Sequence, residues 1–527
     1  MATTAGEVAT SQATPFNNEP LTDFTNEKNI RAQEDALRKV ASEFGKTYPL
    51  IIAGERRKTD ATFASTNPAN PSQTLAIFAK ASAKDANDAV EAAHKHFKTW
   101  QYTPAEERAS YLFAAAKKMR ERRFEFNAIE VYEVGKSWVE ADADVAEAID
   151  FLEFYAREAL RLAETQPITP IPGEANELIY IPLGVGAIIP PWNFPGAIMV
   201  GLTSSALVAG NTVVLKPASA SPWIAATFVE LLEEVGLPAG VVSFVPGSGE
   251  AMGDALTLHP LTRFISFTGS REVGLRINEM AAKPQPGQIW VKRAILEMGG
   301  KDAIVVDETA DLDAAATAIV VSAFGFQGQK CSAASRAIVV DSVYDEVIGK
   351  VVERARNLSI GDPSQRTTYM GPVVDANAFR KILDYITVGK QEGKLLLGGN
   401  QLEREGYFIE PTIFGDIAPN ARLAQEEIFG PVLACIRAKD FDEALDIANG
   451  TEYGLTGSLF SRDRERIARA RREFHVGNLY LNRKSTGAMV GGHPFGGFNM
   501  SGTDSKAGGR DYLLLFTQAK AVSEKIS

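Results

Sequence analysis

Short apolar runs alternate with longer amphipathic stretches through the middle of this chain. Residues 185–189, 212–215, 241–245 and 264–267 are runs of mostly branched or aromatic side chains, each followed by a turn and a helical segment. Such alternation predicts a parallel sheet buried on both faces by helices. A second α/β stretch begins near 303–306 and runs to about residue 490, with further strands over 337–340 and 455–460 and a helix over 343–357. Upstream the spacing is helical. Ala36, Leu37, Val40 and Phe44 share a face within 25–44, and Val145, Ile149, Leu152 and Ala156 mark a long helix over 139–163. Residues 84–98 and 105–123 read the same way. Residues 48–54 predict a strand ending in a turn, 67–71 a proline-rich loop, and 512–525 a terminal strand. Residues 1–20, rich in Ala, Thr, Ser and Asn, predict a mobile N-terminus.

Doubly wound sheets bind ligands beyond the carboxyl ends of their strands. All four central strands end in groups suited to that. Pro191-Trp192-Asn193-Phe194-Pro195 holds an amide between prolines, either a turn asparagine or a stiffly held oxyanion donor. Lys216 ends the next strand, as a surface cation or as a donor to a ribose. The run 247–253 is one residue too long for a dinucleotide fingerprint, and reads as a glycine turn or a phosphate loop. Gly269-Ser270 opens a second strand-to-helix turn, where free N–H groups meet phosphate readily. Glu297 closes an apolar run beside glycines. It is a solvated loop carboxylate or a general base raised towards neutrality by burial.

Composition narrows the classes. The 527 residues are 45% hydrophobic and 23% charged, enough for large cores and about three domains. A net charge of -11 disfavours a nucleic-acid partner. No apolar run spans a membrane. The first 30 residues carry Glu7, Glu19, Asp23 and Glu27 and no Arg, the wrong composition for a presequence, so a cytoplasmic location is expected. Five scattered histidines show no metal-ligand spacing, and no metal is expected. The two cysteines differ. Cys435 lies in an apolar strand and reads as core. Cys331 follows Lys330 in a small, polar turn, where a thiol is either structural or a nucleophile whose pKa the lysine lowers.

Five segments carry a family resemblance in order: 191–194, 216–218, 296–301 (Leu-Glu-Met-Gly-Gly-Lys), 324–331 (Phe-Gly-Phe-Gln-Gly-Gln-Lys-Cys) and 427–431 (Glu-Ile-Phe-Gly-Pro). From about 48 to 525 the chain resembles the NAD(P)-dependent aldehyde dehydrogenases. Segments 20–60, 330–336 and 485–495 resemble the branch that oxidises glutamate γ-semialdehyde in proline breakdown. The resemblance implies two doubly wound α/β domains, a Rossmann-like cofactor domain (21–164 and 185–296) and a catalytic domain (297–497). A β arm for oligomerisation (165–184 and 498–527) would make at least a homodimer. It implies Cys331 as nucleophile, Asn193 as oxyanion donor and Glu297 as base. Lys216 and Glu427 would hold the riboses, Gly269 and Ser270 would face the pyrophosphate, and Phe429 would pack beside the nicotinamide ribose. Ile189, Pro191, Trp192, Ala218, Ser219, Gly249, Gly253, Thr268 and Gly299 would complete the cofactor site. Ser219 stands where many NAD-specific relatives carry glutamate, so NADP is possible beside NAD. Ser332 and the Gly487-Ala488 backbone would grip the substrate carboxylate, consistent with no arginine in 485–497. Phe194 and Phe495 would flank its stem, and Glu147 would meet its ammonium unless it is a solvated helix face.

Overall fold

A computed structural model describes residues 15–526. Two seven-stranded sheets organise the chain. In the first, the strands lie in the order Arg293–Glu297, Thr262–Thr268, Val185–Ile189, Thr212–Leu215, Val242–Phe244, Leu50–Ile52, Glu55–Arg57. The first five are parallel, and the last two form an antiparallel edge. Every residue of Val185–Ile189 and Thr212–Leu215 is buried, as continuous apolar runs require when helices cover both faces. The strand order reverses between Val185–Ile189 and Thr262–Thr268, which opens a crevice at their carboxyl ends.

The second sheet runs Lys394–Leu397, Thr412–Gly415, Val432–Ala438, Ala334–Val340, Asp302–Val306, Thr456–Phe460, Asn478–Leu481. All its pairs are parallel except the first. The segments bearing Gly299, Cys331 and Glu427–Phe429 enter this sheet at the amino ends of its strands. The carboxyl edge of one sheet is thus joined to the amino edge of the other by the loops that carry the candidate chemistry.

Several expectations are corrected. Pro49 divides 48–54 into Lys46–Tyr48, which pairs with Asn70–Ala79, and Leu50–Ile52, an edge strand of the first sheet. The expected loop at 67–71 is a tight reversal, because Thr62–Asn67 and Asn70–Ala79 pair directly. The expected strand over 512–525 starts only at Thr517. Tyr512–Phe516 is a 3-10 turn that buries Tyr512, Leu513 and Phe516 in the first core. The expected mobile segment 1–20 falls partly outside the described residues. From Pro15 onward the chain is tied down: Asn18 Nδ2 donates to Asp150 at 2.8 Å, Glu19 pairs with Arg120 at 2.7 Å, and Phe16 packs on Phe154. The expected arm is narrower than 165–184 and 498–527. Within these segments Glu174–Pro182 and Thr517–Lys525 pair as an antiparallel two-stranded ribbon, while residues of 498–516 bridge Glu297 and enter the first core.

Candidate active site

The nucleophile loop is built around unusual backbone. Phe326 and Gln327 both sit in the left-handed region, at φ 48° and 56°, which side chains adopt only when their surroundings enforce it. Gln327 supplies that enforcement. Its Nε2 donates to Gly135 O at 3.1 Å and Pro372 O at 2.8 Å, clamping the loop to two other segments. Phe326 lies over the Lys136 ammonium, 5.1 Å from its ring centre, and Phe194 shares that ammonium at 4.9 Å. Lys136 is buried with Glu130 at 2.7 Å and with Asp144, and Asp144 accepts from the Ala197 amide at 2.5 Å. One buried ion cluster therefore ties the Asn193–Phe194 turn to the Cys331 loop.

Asn193 is buried and donates from Nδ2 to Gln329 O at 3.0 Å, two residues before Cys331. Cys331 itself is half-buried. Its thiol is not activated as the sequence suggested. Burial pushes it up, and Asp302, Glu427 and Glu297 push it further. The expected helper, Lys330, is committed to Glu140 at 2.6 Å. Glu297 ends its strand buried, and burial raises it to about 7 against the pull of hydrogen bonds from Ser505 and Gly497. The solvated-loop reading of Glu297 is thereby excluded.

The crevice between the parallel strands collects the expected cofactor groups. Ile189, Pro191 and Thr268 are buried at its floor, and Trp192 and Gly269 are half-buried. Trp192 packs edge-on to Phe429 at 5.5 Å. Lys216 is buried rather than on the surface. Burial pushes it down to about 8, and among the described residues its ammonium donates to its neighbour's carbonyl, Pro217 O, at 3.2 Å. A buried ammonium without a carboxylate suits a neutral hydroxyl-bearing ligand such as ribose. Ala218 is half-buried, and exposed Ser219 reaches Gly247 O at 3.4 Å. Ser270 caps the helix Arg271–Ala282 by accepting from the Val273 amide. Across the crevice, Glu427 accepts from the Gly300 amide at 2.9 Å. A side chain at Gly299 would place its Cβ 2.5 Å from Glu427 Oε2, so that approach requires glycine. Gly249 and Gly253 bound a π-turn, and a Cβ on either would meet nothing within 4 Å. They leave open space rather than a tight phosphate cradle.

A second loop closes over Ser332. Ser485 Oγ donates to Ser332 O at 3.1 Å. Gly487 takes a left-handed φ of 76° and, like half-buried Ala488, lies in this loop. Arginine takes part after all: Arg483, just outside 485–497, donates to the carbonyls of Thr486 at 3.1 Å and Gly487 at 2.9 Å. Phe495 is half-buried and pairs with Ala507. Glu147 is half-buried on the helix Trp138–Ala163, and burial beside Asp144 and Asp150 raises it to about 8, with Lys136 and Lys330 opposing. It is no solvated helix face. Cys435 is fully buried in the second sheet, as expected.

Sequence reasoning missed Ser505, Gly497, Gln327, Lys136, Glu140 and Arg483. Ser505, Gly497, Gln327 and Glu140 act through partners far along the chain, which no local spacing signals; Lys136 and Arg483 have near partners, but charged residues at such spacings read as ordinary surface.

Among the described residues no helix is long and apolar enough to cross a membrane. Comparison with known proteins agrees with this geometry. The model of the family described as "Aldehyde dehydrogenase family" matches residues 56–522. A 1-pyrroline-5-carboxylate dehydrogenase from Geobacillus sp. (strain WCH70) is 60% identical over 510 residues, 97% of this chain and 99% of the relative. The solved structure of a Thermus 1-pyrroline-5-carboxylate dehydrogenase with bound NAD is 55% identical, with a TM-score of 0.96 over 97% of this chain and 99% of that one. A Staphylococcus aureus betaine aldehyde dehydrogenase in complex with NAD+ is 28% identical, with a TM-score of 0.88 over 94% and 98% of the two chains. A family match across most of the sequence, with the same fold at more than half identity, means that this chain belongs to the aldehyde dehydrogenase family.

Proposed function

We propose that the protein oxidises L-glutamate γ-semialdehyde, the open form of 1-pyrroline-5-carboxylate, to L-glutamate with NAD, in proline degradation. The observation that carries the substrate is the Ser485–Ser332 hydrogen bond of 3.1 Å. It ties the loop whose backbone amides include those of Gly487 and Ala488 to the main chain of Ser332, the residue after the nucleophile. A carboxylate gripped by those amides and the Ser332 hydroxyl would hold the aldehyde, one short aliphatic stem away, at Cys331. Phe194 and Phe495 would flank that stem. Glu147, raised to about 8 by burial, would meet the ammonium and ionise as it arrives.

The Cys331 sulfur attacks the aldehyde carbon and forms a C–S bond, giving a thiohemiacetal. The thiol is held neutral by its surroundings, so its proton must leave during attack. That proton passes to solvent as the C–S bond forms, which leaves Glu297 ionised above about 7 for the second half-reaction. The Asn193 amide stabilises the new oxyanion. Bound NAD would supply the hydride acceptor, and loss of hydride from the thiohemiacetal carbon would leave a thioester on Cys331. Glu297 then takes a proton from water, hydroxide adds to the thioester carbonyl, and the C–S bond breaks to release glutamate. Lys216, Glu427, Phe429 and Trp192 would hold the cofactor across the crevice. Exposed Ser219 carries no charge to repel a 2′-phosphate, so NADP is admitted beside NAD. The ribbon Glu174–Pro182 with Thr517–Lys525 would join at least two copies.

The test is reduced-cofactor formation from the semialdehyde in wild type and Cys331→Ala. The variant is expected to lose turnover while binding NAD normally. Appreciable turnover in the variant would remove Cys331 from the chemistry, and a wild type that cleaves esters but forms no reduced cofactor from any aldehyde would be a hydrolase.

A further inference from the structure

Glu297 is gripped by more donors than catalysis alone explains. Ser505 Oγ donates to Oε1 in a short hydrogen bond, and the Gly497 amide donates to Oε2 at 3.2 Å. Glycines wall the carboxylate: a Cβ at Gly496 would lie 3.0 Å from Oε1, and one at Gly502 would lie 3.2 Å from Oε2. The 495–506 loop that supplies these groups is itself anchored. Met298 N donates to Ser501 O at 2.7 Å, Thr503 N donates to Leu296 O at 2.9 Å, and Phe495 and Ala507 exchange backbone bonds of 2.8 and 2.7 Å. None of these contacts joins Glu297 to Cys331. The other ionisable groups that sense the carboxylate are Lys506, Cys331 and Tyr512. Lys506 is held off by Gly477 O at 2.7 Å, Gly496 O at 2.8 Å and Asp504 at 3.2 Å. Ser505 is therefore the side chain that touches the base directly.

We propose that Ser505 is the positioning residue of the catalytic base: its hydroxyl holds the Glu297 carboxylate ionised and turned into the 495–506 loop, from which it is released to activate water. A hydroxyl that donates to a carboxylate stabilises the charged form and not the protonated one. The inference rests on Glu297 being the base, and the experiment separates the two.

Hydrolysis of p-nitrophenyl acetate reports both half-reactions without cofactor. Its burst measures acylation of Cys331, and its steady phase measures deacylation. Ser505→Ala is expected to move the acid limb of the steady phase up by roughly 1–2 pH units, the worth of one hydrogen bond to a charged group. The alkaline plateau should be retained. Ser505→Thr, which keeps the hydroxyl, should restore the limb to its wild-type position. Should the alanine variant fail to fold, Ser505→Gly is read in its place. A limb that stays put in the variant lacking the hydroxyl overturns the proposal. A limb that moves equally in Ser505→Thr also overturns it, because packing rather than the donor would then be responsible. Glu297→Gln is the control: if it keeps the wild-type steady phase and limb, the base assignment itself is wrong.

Discussion

Burial sets the working pH of the site one residue at a time. Glu297 is lifted to about 7 chiefly by desolvation, so its ionised, proton-accepting form exists above that pH and disappears below it. Deacylation should therefore slow about tenfold for each pH unit below 7, as a single titrating base requires. Glu297→Gln should show a burst of reduced cofactor followed by little steady turnover, since only the second half-reaction needs activated water. Rapid-mixing traces across pH check both points, and equal losses in burst and steady rate would place Glu297 elsewhere in the mechanism. The same effect explains why Lys330 misleads in the sequence. A cation next to a cysteine suggests activation, but its side chain turns to Glu140, a residue 190 positions away, and the thiol is left neutral. Lys216 shows the opposite case, where burial makes a residue that looks like surface into part of the crevice.

Strands and helices mostly follow from period alone, and they fail where packing overrides it. The buried parallel strands were legible as continuous apolar runs. Tyr512–Phe516 was not, because its apolar run, which suits a strand, serves a 3-10 turn plugged into the first core. The split at Pro49 hid two sheets behind one apolar run. At the site, Cys331, Glu297 and Asn193 stand out because glycines and prolines punctuate the loops that carry them. The clamps do not stand out: Gln327 meets Gly135 and Pro372 only after the helices and loops have docked. That clamp supports two consecutive left-handed residues, a conformation that costs on the order of 1–3 kcal/mol per residue. Gln327→Ala would strand two buried carbonyls and should lower stability by about 1–3 kcal/mol per lost partner. It should also slow acylation of Cys331 more than it weakens NAD binding. Thermal melts and burst kinetics give the two readings, and an unchanged burst rate would show that the loop holds its shape without the clamp.

The whole molecule presents a joined pair of sheets and one element that packs on little of it. The ribbon of Glu174–Pro182 and Thr517–Lys525 pairs residue for residue from Pro182–Thr517 to Glu174–Lys525, yet nearly all of the second strand is exposed. An isolated two-stranded ribbon is marginal in water, and its open edges invite pairing with another chain. Ile179 and Val522, apolar and exposed at 38% and 37%, are suited to a partner copy. Val522→Asp combined with Ile179→Asp should shift the protein towards monomer in light scattering, and a wild type that is already monomeric would refute the arm. At the same scale, the loop after Asn478–Leu481 is tied to the Cys331 segment by the Ser485–Ser332 bond, and the proposed function has this pair select an aldehyde with a distal carboxylate. The most direct measurement compares kcat/KM for glutamate γ-semialdehyde with that for an uncharged aldehyde of equal length, in wild type and Ser332→Ala, with NAD. Wild type is expected to prefer the semialdehyde by on the order of a hundredfold or more, because a site built around donors rejects a ligand that leaves them unpaired. Ser332→Ala should erode the preference by weakening only the charged substrate. Equal efficiencies in wild type, or an equal fall for both substrates in the variant, would contradict the proposed selection.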